Sequence, residues 1–94
     1  MRIRYIVWLD YVKDKILWKH EVRTEEVVQV FLNKPYFYRK ERGRVEGEDL
    51  YNALGRTDNG RYLSVFFIHK KNHDAIIISA REMNTKERRR YAKK

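Results

Sequence analysis

The feature that most constrains the fold of this chain is a short polar stretch, Thr57-Asp58-Asn59-Gly60, between two apolar runs. Asp, Asn and Gly tolerate the positive φ of a tight β-hairpin, and Gly adopts it without strain. The flanking segments, residues 50–56 and 61–69, are rich in the apolar and aromatic side chains that favour β-strands. The stretch therefore predicts an antiparallel hairpin at the centre of the sheet.

Two helices are predicted in the N-terminal third of the chain. Asp10 follows an alternating strand pattern at residues 2–8 and belongs to a residue type that caps helices, so the first helix is expected at 10–19. Thr24 is the expected cap of a second helix. Pro35 disfavours the helical conformation at the residue before it, so the second helix is expected to end just before that proline.

The C-terminal half is predicted to form the rest of the sheet and a last helix. Strands at 36–40 and 75–80 extend the central hairpin into a small antiparallel sheet. Asn84 and Glu87 have the spacing of a capping box, which predicts a short helix up to about Tyr91. The expected fold class is α+β with the order β-α-α-β-β-β-β-α. A chain of 94 residues is too short for two domains, so one domain is expected over residues 1–94.

Charge and composition limit what the protein can bind and catalyse. The net charge of +9 attracts polyanions, which makes nucleic acid the first candidate partner. The sequence holds no cysteine, which excludes disulfides, thiolate nucleophiles and cysteine-bound metals. The apolar run at residues 3–9 contains Arg4 and ends at Asp10, so it is too short and too charged for a signal segment or a membrane span. A soluble cytoplasmic protein is expected.

Several short segments share their order and spacing with one protein family. They are Trp8, Lys19-His20, Val22, Glu25-Glu26-Val27, Val30-Phe31, Glu46-Gly47-Glu48-Asp49, Ala53-Leu54-Gly55-Arg56-Thr57, Gly60-Arg61, Ile78-Ser79-Ala80-Arg81 and residues 87–91. With these segments the chain resembles the BrnT-family toxins, the RelE-like ribonuclease half of type II toxin–antitoxin pairs. The resemblance implies a RelE-like fold, endoribonuclease activity on single-stranded RNA, and a ribbon-helix-helix antitoxin of the BrnA-like type.

The chain departs from that family at three positions. Leu9, Ile16 and Leu50 stand where the family commonly carries aspartate, asparagine and arginine, so each departure removes a polar group. The alternative hypothesis is therefore a catalytically inactive RNA- or protein-binding domain of the same fold. A basic interaction domain with no role in RNA chemistry is a third hypothesis.

Four residues are the candidates for catalysis. Metal-independent cleavage of RNA needs a base near the 2′-hydroxyl and cations around the phosphorane that forms. His20 could act as base or acid, and Lys19 beside it could neutralise phosphate charge. Arg61 opens one predicted strand and Arg81 closes the next, so both guanidiniums are expected at one edge of the sheet, within reach of one phosphate. A packed histidine and solvated strand-end charges are the structural alternatives.

A basic run near the C-terminus is the candidate RNA-binding surface. Arg88, Arg89 and Arg90, with Lys93 and Lys94 after them, concentrate positive charge on the last helix. The adjacent Tyr91 could stack on a base, as the C-terminal aromatic of RelE-like enzymes does, or could seal the core.

Two further clusters have the residue types of metal ligands but not a matching context. Glu46, Glu48 and Asp49 are predicted to lie in a solvated turn. His69 and His73 are four residues apart, but the segment between them is predicted to be a hairpin loop rather than a helix. No metal site and no cofactor are predicted.

Overall fold

Residues 1–93, which the computed structural model describes, form three helices and five strands in the predicted order. Lys94 lies outside the described residues. The elements are β1 (Ile6–Val7), α1 (Asp10–His20), α2 (Thr24–Leu32), β2 (Tyr36–Glu41), β3 (Leu50–Arg56), β4 (Tyr62–His69), β5 (Ala75–Glu82) and α3 (Thr85–Ala92). None of these helices is long and apolar enough to cross a membrane.

The five strands form one sheet in the spatial order β1-β5-β4-β3-β2. Strands β2 to β5 are an antiparallel meander, as predicted. Strand β1 pairs in parallel with β5 through Ile6↔Ala75 and Val7↔Ile76, so the sheet is mixed but mostly antiparallel. This strand is also shorter than the predicted 2–8. After only two paired residues the chain turns into α1, which packs on β5.

The starts of the first two helices differ from prediction by one residue. Leu9, with an extended backbone, is the N-cap of α1, and its carbonyl accepts from the N–H of Val12 at 3.0 Å. Asp10 is therefore the first helical residue and not the cap. Thr24 likewise lies inside α2, because the carboxylate of Glu26 accepts from the backbone N–H one residue earlier, at Arg23, at 3.0 Å.

One face of the sheet carries the hydrophobic core under α1 and α2. The fully buried side chains of this core come from both helices, from the short link between them and from the three central strands. They include Val12, Ile16, Val22, Val27, Val30, Ala53, Leu63, Val65, Phe67, Ile77 and Ala80. The opposite face of the sheet is therefore left for α3 and for solvent.

The C-terminal helix α3 begins with the predicted capping box. The backbone N–H of Glu87 donates to the Asn84 side chain at 2.8 Å, and the Asn84 N–H donates to the Glu87 carboxylate at 2.9 Å. This helix packs against β3. Its Glu87 is buried and accepts a hydrogen bond from Ser64 of β4.

The turn between β3 and β4 has the predicted glycine geometry. Gly60 has φ of 81°, and its N–H donates to the carbonyl of Thr57 at 2.9 Å. The Thr57 hydroxyl accepts from the N–H of Arg61 at 3.0 Å. The turn thus fixes the position of Arg61, which directly precedes β4.

Replacing Gly60 with valine is expected to lower the free energy of unfolding by about 1 kcal/mol or more, because a β-branched residue is strained at positive φ. A Cβ at Gly60 would also lie 3.1 Å from the Arg56 guanidinium. The matched control is Gly60→Asn, since asparagine tolerates this backbone region and should lose less stability. Thermal unfolding of the three proteins measures the difference. Equal melting temperatures for the valine variant and the wild type would refute the argument.

Candidate functional site

The predicted catalytic residues lie along one open cleft at the end of β5. The cleft has a volume of roughly 560 Å³ and is lined by Lys19, His20, Glu21, Arg61, Arg81 and Glu82. It forms because β1 pairs with β5 only at Ala75 and Ile76, which leaves the later part of that strand edge beside the last turn of α1. Glu21, with φ of 54°, turns the chain away at that point.

The two arginines of the cleft reach it from opposite faces of the sheet. Leu63 pairs with Glu82 and Ser64 pairs with Arg81. Because side chains alternate along a strand, Arg61 lies on the α1 and α2 face with Leu63, and Arg81 lies on the α3 face with Ser64. The cleft therefore wraps around the open edge of β5. Reasoning from strand ends alone brings these residues to one end of the sheet but does not determine their faces.

Arg61 ties the end of α1 to the rest of the protein. Its Nη1 donates to the Glu21 carbonyl at 2.6 Å and to the Glu26 carboxylate at 3.1 Å, and its Nη2 donates to the His20 carbonyl at 3.0 Å. Its Nε donates to Glu82 at 3.2 Å. These contacts engage four of the five guanidinium N–H groups, so one remains without an acceptor among residues 1–93.

The charge of Arg61 is secured by the same contacts. Burial alone would lower its pKa, but hydrogen bonds with Glu82 and Glu26 and the charges of those carboxylates outweigh burial and raise the pKa. Arg61 therefore stays positively charged, and its hydrogen bonds hold the backbone at His20 in place.

Arg81 keeps a pair of N–H groups available for a ligand. Its Nη1 and Nη2 donate to the two oxygens of Glu87 at 2.7 and 3.0 Å, and Nη1 also donates to the Glu82 carbonyl at 3.1 Å. Among residues 1–93, nothing accepts from its Nε. The Nε–H and the second Nη2–H point in the same direction, so Arg81 can bind two oxygens of a phosphate while Glu87 holds its other edge.

The carboxylate of Glu87 is nearly enclosed, with 7% of its side chain exposed. Besides Arg81 it accepts from the Asn84 N–H and from the Ser64 hydroxyl, the latter at 3.1 Å. Burial alone would raise its pKa, but the hydrogen bonds from Arg81, Asn84 and Ser64 and the charge of Arg81 lower the pKa below its ordinary value. Glu87 is therefore ionised and fixes the orientation of the Arg81 guanidinium.

A buried polar chain continues from Glu87 across the sheet. Asn52, fully buried, donates to the Ser64 hydroxyl at 2.8 Å and to the Val65 carbonyl at 3.0 Å. The hydroxyl of Tyr38 donates to the Asn52 side-chain oxygen. This row of polar side chains was not predicted from the sequence. The sequence does contain a signal for these hydrogen bonds. Asn52 and Ser64 are polar residues within the apolar strands β3 and β4, and a buried polar side chain needs a hydrogen-bond partner.

His20, at the last turn of α1, is partly exposed to the cleft. Its pKa is lowered, first by burial and then by the positive charges of Lys19, Arg81 and Lys15. The imidazole is therefore neutral near pH 7 and can accept a proton.

The basic run of α3 does not form one surface. On one side of the helix, Arg88 lies over the Tyr62 ring at 3.7 Å, and the half-buried Tyr91 packs edge-on against the same ring at 5.9 Å. On the other side, Arg90 lies over the Tyr38 ring at 4.1 Å. Consecutive residues of a helix point in different directions, which accounts for the division.

The clusters considered as metal ligands are engaged in local contacts. Glu46, Glu48 and Asp49 each pair with a lysine or arginine of a neighbouring segment. A ring nitrogen of His69 lies 2.9 Å from the Arg2 carbonyl. Over residues 1–93, no group of three or more His, Cys, Asp or Glu side chains could hold a metal ion.

Comparison with known proteins places most of the chain in one family. The family described as "Ribonuclease toxin, BrnT, of type II toxin-antitoxin system" matches residues 9–87. The match includes every residue that lines the cleft. It also includes Glu87 and stops before the arginine run of α3. A search of curated proteins finds no match to the chain.

Proposed function

The chain belongs to the BrnT family of ribonuclease toxins of type II toxin–antitoxin systems, and from that membership we propose that it cleaves single-stranded RNA, mRNA in particular, without a metal ion and so inhibits translation. The observation that carries the proposal is the cleft, which the neutral imidazole of His20 lines together with Lys19 and Arg81, whose positive charges act on it. A base and two cations at one site are the minimum that this chemistry needs.

In the proposed reaction His20 takes the proton of the 2′-hydroxyl. The 2′-oxygen attacks the adjacent phosphorus, and the bond to the 5′-oxygen breaks. Arg81 binds the two non-bridging oxygens, where negative charge grows in the transition state. Lys19 places its charge beside the leaving 5′-oxygen, and a proton from a water molecule completes the departing 5′-hydroxyl. The products are a 2′,3′-cyclic phosphate, or the 3′-phosphate formed from it, and a 5′-hydroxyl end.

Arg61 is proposed to act mainly as a positioning residue. It binds the carbonyls of His20 and Glu21, so it sets where the imidazole stands relative to Arg81. The prediction that Arg61 also contacts the phosphate stays a prediction, and its one remaining N–H group is what it can offer for that contact.

A type II system includes a protein antitoxin as its partner. We propose that this antitoxin is of the ribbon-helix-helix, BrnA-like type and that its acidic residues cover the cleft in the cytoplasm. Opposite potentials steer such an association and hide the phosphate site.

The alternative hypothesis, a binding domain that has lost catalysis, rests on the departures at Leu9, Ile16 and Leu50. None of the three lines the cleft. Ile16 is in the core, Leu9 caps α1, and Leu50 pairs with Ile68 toward the other end of the sheet. These positions support the catalytic hypothesis over the alternative.

The pH dependence of cleavage tests the role of His20. Because burial and then the charges of Lys19, Arg81 and Lys15 lower its pKa, kcat/KM is expected to rise with pH through a midpoint below 6.5 and then to level off. His20→Ala should lose this rise and about 100-fold or more in rate. His69→Gln, which changes a histidine outside the cleft, is the control and should keep the wild-type profile. A rise that persists in His20→Ala would rule out His20 as the base.

A further inference from the structure

A stripe of four cations runs along one side of α3 and onto its C-cap, with Lys86, Arg89, Arg90 and the C-cap Lys93 at spacings of i, i+3, i+4 and i+7. All four are exposed. Together with Tyr36 of β2 they line a groove of about 380 Å³. Within residues 1–93, no carboxylate forms a salt bridge with any of them. The groove thus carries positive charge that the protein does not neutralise.

We propose that this groove is a second RNA subsite. It binds a single nucleotide that lies further along the RNA than the cleaved position. The stripe holds its phosphate, and its base stacks on the ring of Tyr36. The inference rests on the proposed ribonuclease function and assigns the path of the RNA outside the cleft.

The register of the sheet places the groove within reach of the cleft. Tyr36 pairs with Leu54, Leu54 with Ser64, and Ser64 with Arg81, so Tyr36 and Arg81 stand on the same face of the sheet. Three strand spacings separate them, roughly 14 Å. Leu54 and Ser64 between them are buried, and Glu87 of α3 is bonded to Ser64, so a single strand with one phosphate at Arg81 passes over α3 to reach the groove.

The inner wall of the groove is held in place before any ligand binds. Arg90 lies over the Tyr38 ring, and the Tyr38 hydroxyl bonds to the buried Asn52. The Tyr36 and Tyr38 rings are 5.9 Å apart. A fixed wall reduces the entropy lost when a flexible nucleotide binds.

The combination of residues favours a nucleotide over an acidic peptide. An aromatic ring at the end of a cationic stripe offers a stacking surface for a base and charge for its phosphate, which is the arrangement that binds single-stranded nucleic acid. An acidic peptide would use only the cations.

The test measures binding of a fluorescein-labelled single-stranded RNA by anisotropy, in a His20→Ala background so that the RNA stays intact. Tyr36→Leu is expected to weaken binding about tenfold, and Tyr36→Phe, which keeps the ring, to bind like its parent. Replacing Lys86 and Lys93 together with glutamine should reduce the salt dependence of binding. Lys13→Gln, a lysine of α1 outside the groove, is the matched control and should change little.

Each of the following results would overturn the proposal. Equal RNA affinity of Tyr36→Leu and its parent would remove the stacking site. Suppose that Tyr36→Leu binds RNA like its parent, and that the variant with glutamine at positions 86 and 93 binds poly-glutamate more weakly than its parent. The groove would then be assigned to an acidic protein. In parallel, RNA cleavage is measured with the wild type, which keeps His20. If the protein cleaves RNA and Tyr36→Leu does not change RNA affinity, only the subsite is rejected. If the protein neither binds nor cleaves RNA, the proposed function is rejected as well.

Discussion

Replacing Glu87 with alanine is expected to lower the free energy of unfolding by about 3 kcal/mol, because it removes one partner of a largely buried ion pair. The Glu87 side chain is 7% exposed. It accepts from both Nη atoms of Arg81, from the Ser64 hydroxyl and from the Asn84 N–H. Alanine would leave all of these donors without their acceptor. Glu25→Ala, on the exposed side of α2, is the control, and an equal melting temperature for the two variants would contradict this account.

The same carboxylate makes stability depend on pH in a defined direction. The hydrogen bonds and charge of its partners outweigh burial and lower the pKa of Glu87, so its ionised form stabilises the fold at pH values above its ordinary 4.5. That contribution is lost as the pH falls through the lower pKa of the folded state. Glu87→Gln, which cannot ionise, should therefore lose less stability between neutral and acidic pH than the wild type does. Parallel losses in acid would show that Glu87 is not coupled to folding.

The order of helices and strands could be predicted because its signals are local. The bounds of β3 and the positive φ of Gly60 follow from neighbouring residue types, and so does the capping box of α3. The parallel pairing of β1 could not be predicted in this way. It depends on contacts between Ile6 and Ala75, which are distant in sequence.

The candidate site was predictable in its membership but not in its geometry. Strand ends indicated that Arg61 and Arg81 lie at one end of the sheet, whereas their faces depend on the register between β4 and β5. Glu87 was predicted only as a capping residue. Its second role, as the partner of Arg81, arises from tertiary packing. The division of the α3 cations could have been foreseen, since a helix turns by about 100° per residue.

Arg81→Lys is expected to slow cleavage at least 100-fold, the order of magnitude lost when one preorganised charge stabiliser is removed. Lysine keeps the charge and an ion pair with Glu87, so the fold should be retained. Its ammonium cannot present two fixed, parallel N–H groups to a phosphate while it bonds a carboxylate. Alanine is the less informative change, because it would also leave Glu87 buried without a countercharge. Arg4→Lys, at an arginine that bonds Asp74 at 3.1 Å, is the matched control.

The most direct measurement is single-turnover cleavage of a single-stranded RNA in excess EDTA, with the ends of the products identified. The wild type is expected to cleave as fast in EDTA as without it and to leave 2′,3′-cyclic phosphate or 3′-phosphate ends, with Arg81→Lys at least about 100-fold slower. Cleavage that disappears in EDTA, or an Arg81→Lys protein as fast as the wild type, would contradict this mechanism. An absence of cleavage with RNA binding retained would establish the non-catalytic alternative.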